Sequence, residues 1–87
     1  MATVLLPGAL ARLFPGMERR VTLPAATVRE AIDMLDAATP GVRARLCDSS
    51  PAIRQHIRIF VDGERADLDT ELGEGSMVEV IPAISGG

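Results

Sequence analysis

Residues 27–38 read Thr-Val-Arg-Glu-Ala-Ile-Asp-Met-Leu-Asp-Ala-Ala, the clearest helix signal in the chain. Thr27 and Glu30 have the spacing of a capping box, in which the hydroxyl accepts a hydrogen bond from the first turn and the carboxylate reaches back. Apolar residues recur at helical spacing and form one stripe, made of Val28, Ala31, Ile32, Leu35 and Ala38. Pro40-Gly41 ends this pattern. The sequence therefore predicts one amphipathic helix that ends near residue 39 and needs a sheet to cover its apolar face.

Two short strand patterns precede the helix. Residues 2–6 are rich in strand formers, and Pro7-Gly8 ends them. In residues 18–23 the alternation of side chains places Val21 and Leu23 on an inward face. Because strands that are consecutive in sequence usually lie side by side, we expect these two to pair as a hairpin.

Further strand patterns follow the helix. Residues 57–61 form the strongest strand candidate, and Asp62-Gly63 predicts a hairpin turn into residues 64–66. Residues 77–81 form the last strand pattern and lead to Pro82. Because proline has no N–H to donate to a sheet ladder, we expect Pro82 to release the following residues from the sheet edge.

The order of these patterns, β-β-α-β-β, is typical of an α+β fold in which helix and strands share one core. We predict a mixed sheet of about four to five strands covered by one main helix, with residues 42–46 as a short second helix. The domain is expected to span residues 1–82, and residues 83–87 are expected to form a flexible C-terminal tail.

Charge is unevenly distributed along the chain. Residues 62–87 contain seven acidic residues and one arginine, and the whole chain has a net charge of −3. Because a nucleic-acid-binding protein needs a basic surface with aromatic stacking residues, we predict no nucleic-acid partner. The acidic third either suits an electropositive protein surface or keeps a small protein in solution.

Other features of composition concern compartment and chemistry. The only cysteine, Cys47, excludes an intramolecular disulfide and fits a reducing cytoplasm. The N-terminus resembles no signal peptide, and no apolar run is long enough to span a membrane, so we predict a cytoplasmic protein without membrane association. The chain contains no lysine, so no side-chain amine can capture an activated C-terminus.

The sequence ends in Gly86-Gly87. Two residues without side chains can thread a channel too narrow for a Cβ, and they leave the terminal carbonyl unhindered. A carboxylate is a stable anion at neutral pH, so a partner enzyme must activate it, for example as an acyl-adenylate made from ATP. The alternative interpretation is a loose chain end without a function.

Three motifs stand out in the second half of the chain: Val61-Asp62-Gly63-Glu64 after the third strand, Gly73-Glu74-Gly75-Ser76 before the last strand, and Ile-Pro-Ala-Ile-Ser-Gly-Gly at residues 81–87. Together they resemble the ubiquitin-like sulfur carriers of the MoaD/ThiS family. The resemblance covers nearly the whole chain and implies a β-grasp, or ubiquitin-like, fold.

The resemblance also implies a function for the tail. An E1-like adenylating and sulfurtransferase enzyme would use ATP to activate Gly87, which would then carry a thiocarboxylate. Gly86, Ser85 and Ile84 would be recognised by the partner, with Ile84 as the apolar anchor. The chain would bind no cofactor and hold no catalytic residue, because it would be a substrate that passes sulfur to an accepting synthase.

Two features are similar to the cysteine-forming branch of this family, namely Pro82-Ala83-Ile84-Ser85 and the segment 41–46 after the helix. Small subunits of molybdopterin synthase often have two prolines where this chain has one proline and an alanine. We therefore prefer a cysteine-type carrier. The alternatives are a molybdopterin synthase small subunit, a ubiquitin-like protein modifier and a non-catalytic β-grasp interaction module.

Four residues outside the tail are candidates for partner docking: Phe60, Asp62, Glu64 and Asp67. Phe60 is expected either on the strand face opposite the helix, as an apolar contact, or in a small buried cluster. Asp62 is also expected to stabilise its own turn.

The remaining candidates favour structural interpretations. Cys47 has no CxxC partner and is interpreted as a semi-buried structural cysteine, and His56 as a polar residue at a strand edge. The acidic segment 62–71 suggests calcium, but the glycine at 73 does not fall where an EF-hand loop requires it. We predict no metal site.

Overall fold

The computed structural model describes residues 1–50 and 52–82 of the 87-residue chain. Within these residues it contains five strands and three helices. In chain order they are β1 (Ala2–Leu5), α1 (Gly8–Ala11), β2 (Arg20–Leu23), α2 (Val28–Ala38), α3 (Val42–Leu46), β3 (Ile57–Val61), β4 (Glu64–Ala66) and β5 (Met77–Pro82).

The strands form one mixed sheet in the order β2-β1-β5-β3-β4. The pair β1–β5 is parallel, whereas β1–β2, β3–β4 and β3–β5 are antiparallel. The last strand in the sequence is therefore the central strand of the sheet. This architecture confirms the predicted α+β fold and the predicted sheet of four to five strands.

Helix α2 begins where the capping pattern predicts. Thr27 Oγ1 accepts a hydrogen bond from the Glu30 N–H at 3.2 Å. The Glu30 carboxylate accepts from the Ala26 N–H at 3.2 Å, one residue before the cap residue. Val28, Ala31, Ile32 and Leu35 are buried, as the apolar stripe predicts. Ala38 is exposed, so its inclusion in the stripe was wrong: it is the last helical residue, and its short side chain does not reach the core.

Helix α3 follows α2 after a tight turn at Gly41, whose φ of +106° lies in the left-handed region. The Asp36 carboxylate accepts hydrogen bonds from the N–H groups of Arg43, at 3.0 Å, and Gly41, at 3.1 Å. These bonds, first the one from Arg43, hold the pKa of Asp36 below its usual value. The carboxylate thereby joins the end of α2 to the start of α3, the short helix that the sequence predicts.

Two boundaries differ from the sequence prediction. Helix α1 lies in a segment expected to be only a turn-rich connection, and it buries Leu10. Four helical residues are about one turn, too short for apolar periodicity to reveal them. Strand β2 begins at Arg20 rather than at residue 18, while Val21 and Leu23 pack against the core as predicted.

The core lies between the helices and one face of the sheet. All three helices contribute buried residues to the same cluster as alternate residues of β1, β3 and β5, so the helices cover that face. The buried members of the cluster are Val4, Leu6, Leu10, Val28, Ala31, Ile32, Leu35, Val42, Leu46, Cys47, Ile59, Val61, Leu68, Val78 and Val80.

Candidate functional site

The candidate site begins where β5 ends. Pro82 is the last residue of β5 and lies in register with Ile57 of β3. The strand therefore extends one residue beyond the predicted range 77–81, and the residues that Pro82 is expected to release lie outside the described part of the chain. Strand β1 pairs with β5 only as far as Glu79, so beyond that point β5 pairs with β3 alone. A proline at the end of such a strand has no β1 ladder to interrupt, which is why the strand tolerates it.

The tail residues predicted to carry the chemistry lie outside the described part of the chain. They are Ile84, Ser85, Gly86 and Gly87, and Ala83 lies outside with them. Their roles therefore remain predictions. The structure does place their point of attachment, because Pro82 lies at the end of the central strand.

The sheet face opposite the helices forms the surface next to this attachment point. Its residues alternate along each strand with residues of the core, and cross-strand pairing keeps them on one side. We call this surface the open sheet face. Its members are Thr3, Leu5, Arg20, Thr22, Arg58, Phe60, Arg65, Met77, Glu79 and Ile81.

The open sheet face is apolar at its centre. Leu5, Phe60 and Met77 are partly buried, and Ile81 is 42% exposed. None of the four belongs to the core cluster or packs against it. An apolar surface that the described residues leave uncovered is typical of a site that contacts another protein.

Phe60 therefore lies on the face that the docking prediction requires. It pairs across the sheet with Glu79 of β5 on one side and with Arg65 of β4 on the other. Its neighbours along β3, Ile59 and Val61, point to the core and are buried. The alternative expectation, a small buried cluster, does not describe this position.

Asp62 has a structural role in the turn between β3 and β4. Asp62 and Gly63 both have positive φ, 51° and 87°, which is the geometry of a tight two-residue hairpin turn. The Asp62 N–H donates to the Met77 carbonyl at 2.9 Å, and its Oδ1 accepts from the Met77 N–H at 2.9 Å. The side chain thus joins the hairpin to the start of β5, in agreement with the expected turn-stabilising role.

The other two acidic candidates lie apart from Phe60. Glu64 pairs with Val61, whose side chain points to the core, so Glu64 belongs to the helix-covered side at the edge of the sheet. Asp67 Oδ1 accepts from the Asp69 N–H at 2.9 Å within the turn after β4. The structure therefore does not bring Phe60, Asp62, Glu64 and Asp67 together into one surface.

Sequence reasoning missed the partners that Phe60 does have on the open sheet face. Leu5, Glu79 and Ile81 each alternate with core residues, so the period-two pattern that places Val78 and Val80 inside also places these residues outside. That pattern was a usable signal, but it does not say which strands are neighbours.

Two arginines, Arg54 and Arg58, lie in or next to the loop that precedes β3. Arg58, opposite Ile81 in the sheet, donates from Nη1 to the Gln55 carbonyl at 2.7 Å and to the Ile57 carbonyl at 3.3 Å. Arg54 donates from Nε to the Ala44 carbonyl at 2.8 Å. The Arg58 guanidinium is therefore held beside Ile57, the residue that pairs with Pro82, whereas the Arg54 guanidinium is held against α3.

Cys47 is buried, 5% exposed, at the C-terminal end of α3. It borders a cavity of about 190 Å³, whose other lining residues are Arg29, Ile32, Asp33, Arg43 and Leu68. Burial raises the pKa of the Cys47 thiol, which keeps it protonated and unreactive at neutral pH. His56 is exposed in the turn before β3.

Two further observations concern the described residues only. Across residues 1–50 and 52–82, no group of three or more His, Cys, Asp and Glu side chains is arranged to hold a metal ion. None of the helices in this part of the chain is long and apolar enough to cross a membrane.

Comparison with known proteins gives consistent matches. The sequence model of the ThiS family matches residues 4–87. Small archaeal modifier protein 1 from Haloferax volcanii is 32% identical over 62 residues, which are 71% of this chain and 71% of that protein.

Two crystal structures resemble the whole fold. A chain in the BexX/CysO complex from Amycolatopsis orientalis has a TM-score of 0.87 and 31% identity and covers 100% of both chains. CysO from Mycobacterium tuberculosis, described as an antigen, has a TM-score of 0.84 and 27% identity and covers 97% of this chain and 100% of its own. These likenesses confirm the predicted β-grasp fold.

Proposed function

Because the chain belongs to the ThiS family of ubiquitin-like proteins, we propose that it is a sulfur carrier whose C-terminal Gly87 cycles between carboxylate, adenylate and thiocarboxylate. The Gly87 carboxylate attacks the α-phosphorus of ATP and pyrophosphate leaves. Sulfur at the oxidation level of sulfide then attacks the Gly87 carbonyl carbon, displaces AMP and leaves a thiocarboxylate. The thiocarboxylate sulfur forms a bond to the acceptor, and water attacks the Gly87 carbonyl carbon, so that the carbon–sulfur bond breaks and the carboxylate returns for the next cycle. The chain is then a consumed and recharged substrate rather than an enzyme.

The observation that carries this proposal is the family match, which runs through Gly86-Gly87. The position of the tail supports it, because Pro82 ends the central strand beside an uncovered apolar surface. An extended chain spans at most about 3.3–3.6 Å per residue, so five residues reach roughly 17 Å beyond Pro82. That distance allows the terminus to enter a partner's site while the open sheet face rests on the partner's surface.

The chain's own nucleophiles support the same proposal. An acyl-adenylate reacts readily with amines and thiols. The sequence has no lysine, and its single thiol, Cys47, is buried with a raised pKa. The folded chain therefore offers no side-chain amine and no accessible thiol within itself to compete with the intended sulfur donor.

In the proposed cycle each tail residue has a steric role. Gly86 and Gly87 pass through a channel that would exclude a Cβ, Ser85 fits by its small size, and Ile84 fills an apolar pocket. Phe60 contributes the aromatic contact of the docking surface. The exposed acids Asp62, Glu64 and Asp67 lie elsewhere, and we assign them at most long-range attraction to a basic partner surface.

The partners of the cycle are an E1-like adenylating enzyme and a sulfur-accepting synthase. We propose that the adenylating enzyme binds the ATP and that this chain binds no cofactor. We favour the cysteine-type branch, because two structures of high similarity contain CysO. A molybdopterin synthase small subunit remains the alternative within the carrier class. A single buried cysteine fits a reducing compartment, so we place the cycle in the cytoplasm.

A second candidate function is conjugation to other proteins. It is favoured by the 32% identity to a protein named as an archaeal modifier. The adenylation step would be the same, but an amine of a target protein would then displace AMP. The absence of lysine means that such a modifier could not form side-chain-linked chains of itself.

The test is intact mass spectrometry of the chain purified from its source cells. We expect a mass increase equal to replacement of one oxygen by sulfur, mapped to Gly87 and trapped by a thiocarboxylate-selective reagent. Deletion of Gly87 should abolish this charging, and Gly86→Ala should slow it at least tenfold. Gly73→Ala adds the same methyl group where its nearest contact would be 3.8 Å from Ser76 Oγ, so it serves as the matched control.

The possible outcomes separate the candidates. Normal charging of the Gly87-deleted chain contradicts the carrier function. Recovery of the chain in amide-linked adducts that survive thiol treatment, without a thiocarboxylate, favours the modifier. Partner binding that survives truncation after Pro82, together with a full-length chain that is never charged, favours a plain interaction module.

A further inference from the structure

Glu79 occupies the centre of the open sheet face. It lies on the central strand β5, opposite Leu5 of β1 on one side and Phe60 of β3 on the other. Continuing outward, Leu5 pairs with Arg20 and Phe60 pairs with Arg65. One row across the sheet therefore reads Arg20, Leu5, Glu79, Phe60, Arg65, with a single negative charge between two apolar side chains.

Among the acidic residues of the described part of the chain, Glu79 has an unusual environment. Eight of the twelve acids in the sequence accept a hydrogen bond or form an ion pair: Glu30, Asp33, Asp36, Asp48, Asp62, Asp67, Asp69 and Glu74. Glu18, Glu64 and Glu71 have no such partner within residues 1–50 and 52–82, but all three are exposed to water. Glu79 alone is partly buried and also lacks a polar partner within these residues.

Three arginines share the open sheet face with Glu79, and none of them pairs with it. Arg58, opposite Ile81 on the adjacent strand, donates instead to the carbonyls of Gln55 and Ile57. The other two, Arg20 and Arg65, lie at the ends of the row. Neighbouring strands are about 4.8 Å apart, so the Cα atoms of Arg20 and Arg65 lie roughly two strand spacings from that of Glu79. Leu5 and Phe60 fill the intervening positions. The Glu79 carboxylate therefore lies between apolar neighbours, and no cation among the described residues pairs with it.

Covering this face with another protein would remove the remaining water from Glu79. A buried charge without a partner is strongly unfavourable, whereas a buried and well-formed ion pair is tolerated and specifies the docking arrangement. A protein that binds this face must therefore supply a cation at its centre. A second copy of this chain does not suit a two-fold contact here, because the symmetry would bring the two Glu79 carboxylates close together.

We propose that the adenylating enzyme binds the open sheet face and places an arginine or lysine side chain against Glu79, between Leu5 and Phe60. The identity of this partner rests on the proposed function. Glu79 lies three residues before Pro82 on the strand that leads into the tail, so an enzyme that holds the tail lies beside this face. Glu79 acts as a docking and specificity residue and has no part in the chemistry at Gly87.

The first part of the test measures charging. The full-length chain and its Glu79→Gln and Glu79→Arg variants are titrated into extract of the source cells with ATP, and the initial rate of thiocarboxylate formation is followed by mass spectrometry. We expect Glu79→Gln to raise KM at least tenfold with little change in kcat, and Glu79→Arg to raise it further. Glu71→Gln removes an exposed charge without a polar partner in the described residues, in a segment that bridges to Thr27 at the start of α2, and should leave KM within twofold.

The second part does not depend on sulfur chemistry. A photo-crosslinking amino acid replaces Thr22, an exposed position of the open sheet face on β2, in source cells that express the chain. We expect a cross-link to an ATP-binding adenylating enzyme, at a peptide rich in Arg or Lys, which is lost in the Glu79→Arg variant. Circular dichroism of each variant confirms folding. We expect Glu79→Gln to be at least as stable as the native chain, because it removes an uncompensated charge.

The outcomes separate this inference from the proposed function. A charged native chain with an unchanged KM in Glu79→Gln overturns the role of Glu79 and leaves the carrier function standing. A native chain that is never charged, yet cross-links to the adenylating enzyme in a Glu79-dependent way, refutes sulfur transfer and supports the docking inference. A cross-link to a second copy of the chain, or to a protein that does not bind ATP, overturns the inference.

Discussion

Two adjacent residues of β3, Ile59 and Phe60, allow packing and docking to be tested separately. Ile59 is 1% exposed and belongs to the core cluster, whereas Phe60 points to the open sheet face and lies outside that cluster. We expect Ile59→Ala to reduce stability and Phe60→Ala to reduce partner binding. Each substitution removes a large apolar side chain from the same strand, so each serves as the control for the other.

The expected loss of stability follows from the burial of each side chain. Truncation of a buried isoleucine to alanine costs about 2–5 kcal/mol, because it removes apolar contacts and leaves a cavity. A chain of this length is stabilised by about 4–13 kcal/mol in total, and each kcal/mol lost lowers the midpoint of thermal unfolding by about 4–8 °C. Ile59→Ala should therefore lower that midpoint by roughly 8–40 °C. Phe60 contacts its two cross-strand neighbours, worth about 0.2–1 kcal/mol each, so Phe60→Ala should cost no more than about 2 kcal/mol.

For partner binding we expect the opposite order, with the larger loss in the Phe60→Ala variant. An aromatic residue at the centre of an interface typically contributes 2 kcal/mol or more, which corresponds to about a 30-fold rise in the KM for charging. Ile59→Ala does not change the docking surface, so the fraction that remains folded should be charged with nearly native KM.

Urea and thermal unfolding would be followed by far-ultraviolet circular dichroism, because the chain has no tryptophan or tyrosine to report by fluorescence. Charging would be measured by mass spectrometry below the melting temperature of both variants. Equal losses of stability in the two variants would refute the assignment of opposite faces. Native charging by a folded Phe60→Ala chain would refute the assignment of this face to the partner.

Two other predictions concern the turn at Gly41 and the thiol of Cys47. Gly41→Ala should destabilise the chain by more than the 1–3 kcal/mol typical of a strained positive φ, because its Cβ would lie 3.0 Å from Phe14 Cε1. Gly63→Ala, also at positive φ but with no atom within 4 Å of the new Cβ, isolates the contribution of that contact in urea unfolding. Because folding raises the pKa of the Cys47 thiol, this thiol ionises at lower pH in the unfolded chain than in the folded chain. The contribution of Cys47 to stability is therefore fully present below the unfolded pKa of about 9.0. It decreases as the pH rises further, until the folded thiol also ionises. Urea unfolding between pH 7 and 10 should show this decrease in stability, and the Cys47→Ala variant should not show it. Rapid reaction of the native Cys47 thiol with a disulfide reagent at pH 8 would contradict its burial.

The elements of this fold could be read from the sequence because each depends on neighbours in the chain. The cap at Thr27, the apolar stripe of α2 and the turn at Asp62-Gly63 all express local geometry, with periods of 3.6 residues in a helix and two in a strand. The same reasoning was less successful at the ends of elements. It missed α1, extended the stripe to Ala38 and ended β5 one residue early, at residue 81, because element ends depend on how far the neighbouring elements extend.

The candidate docking surface shows the corresponding limit for function. Sequence analysis grouped Phe60 with Asp62, Glu64 and Asp67 because they are close in the chain. In the structure, Glu64 lies on the opposite side of the sheet and Asp62 is bonded to Met77. The residues that accompany Phe60 are Leu5 and Glu79, which are 55 and 19 positions away in the sequence.

Local sequence patterns therefore predicted the individual elements: a capped helix, strands of alternating polarity, a hairpin turn and a Gly-Gly end. Local propensities and periodicity are sufficient for these, because they involve residues a few positions apart. Only the tertiary structure decided that β1 and β5 pair in parallel, which makes the last strand the central one and sets Glu79 between Leu5 and Phe60. Strand order and register depend on the burial of one sheet face against the helices, a property of the whole folded chain that no local pattern contains.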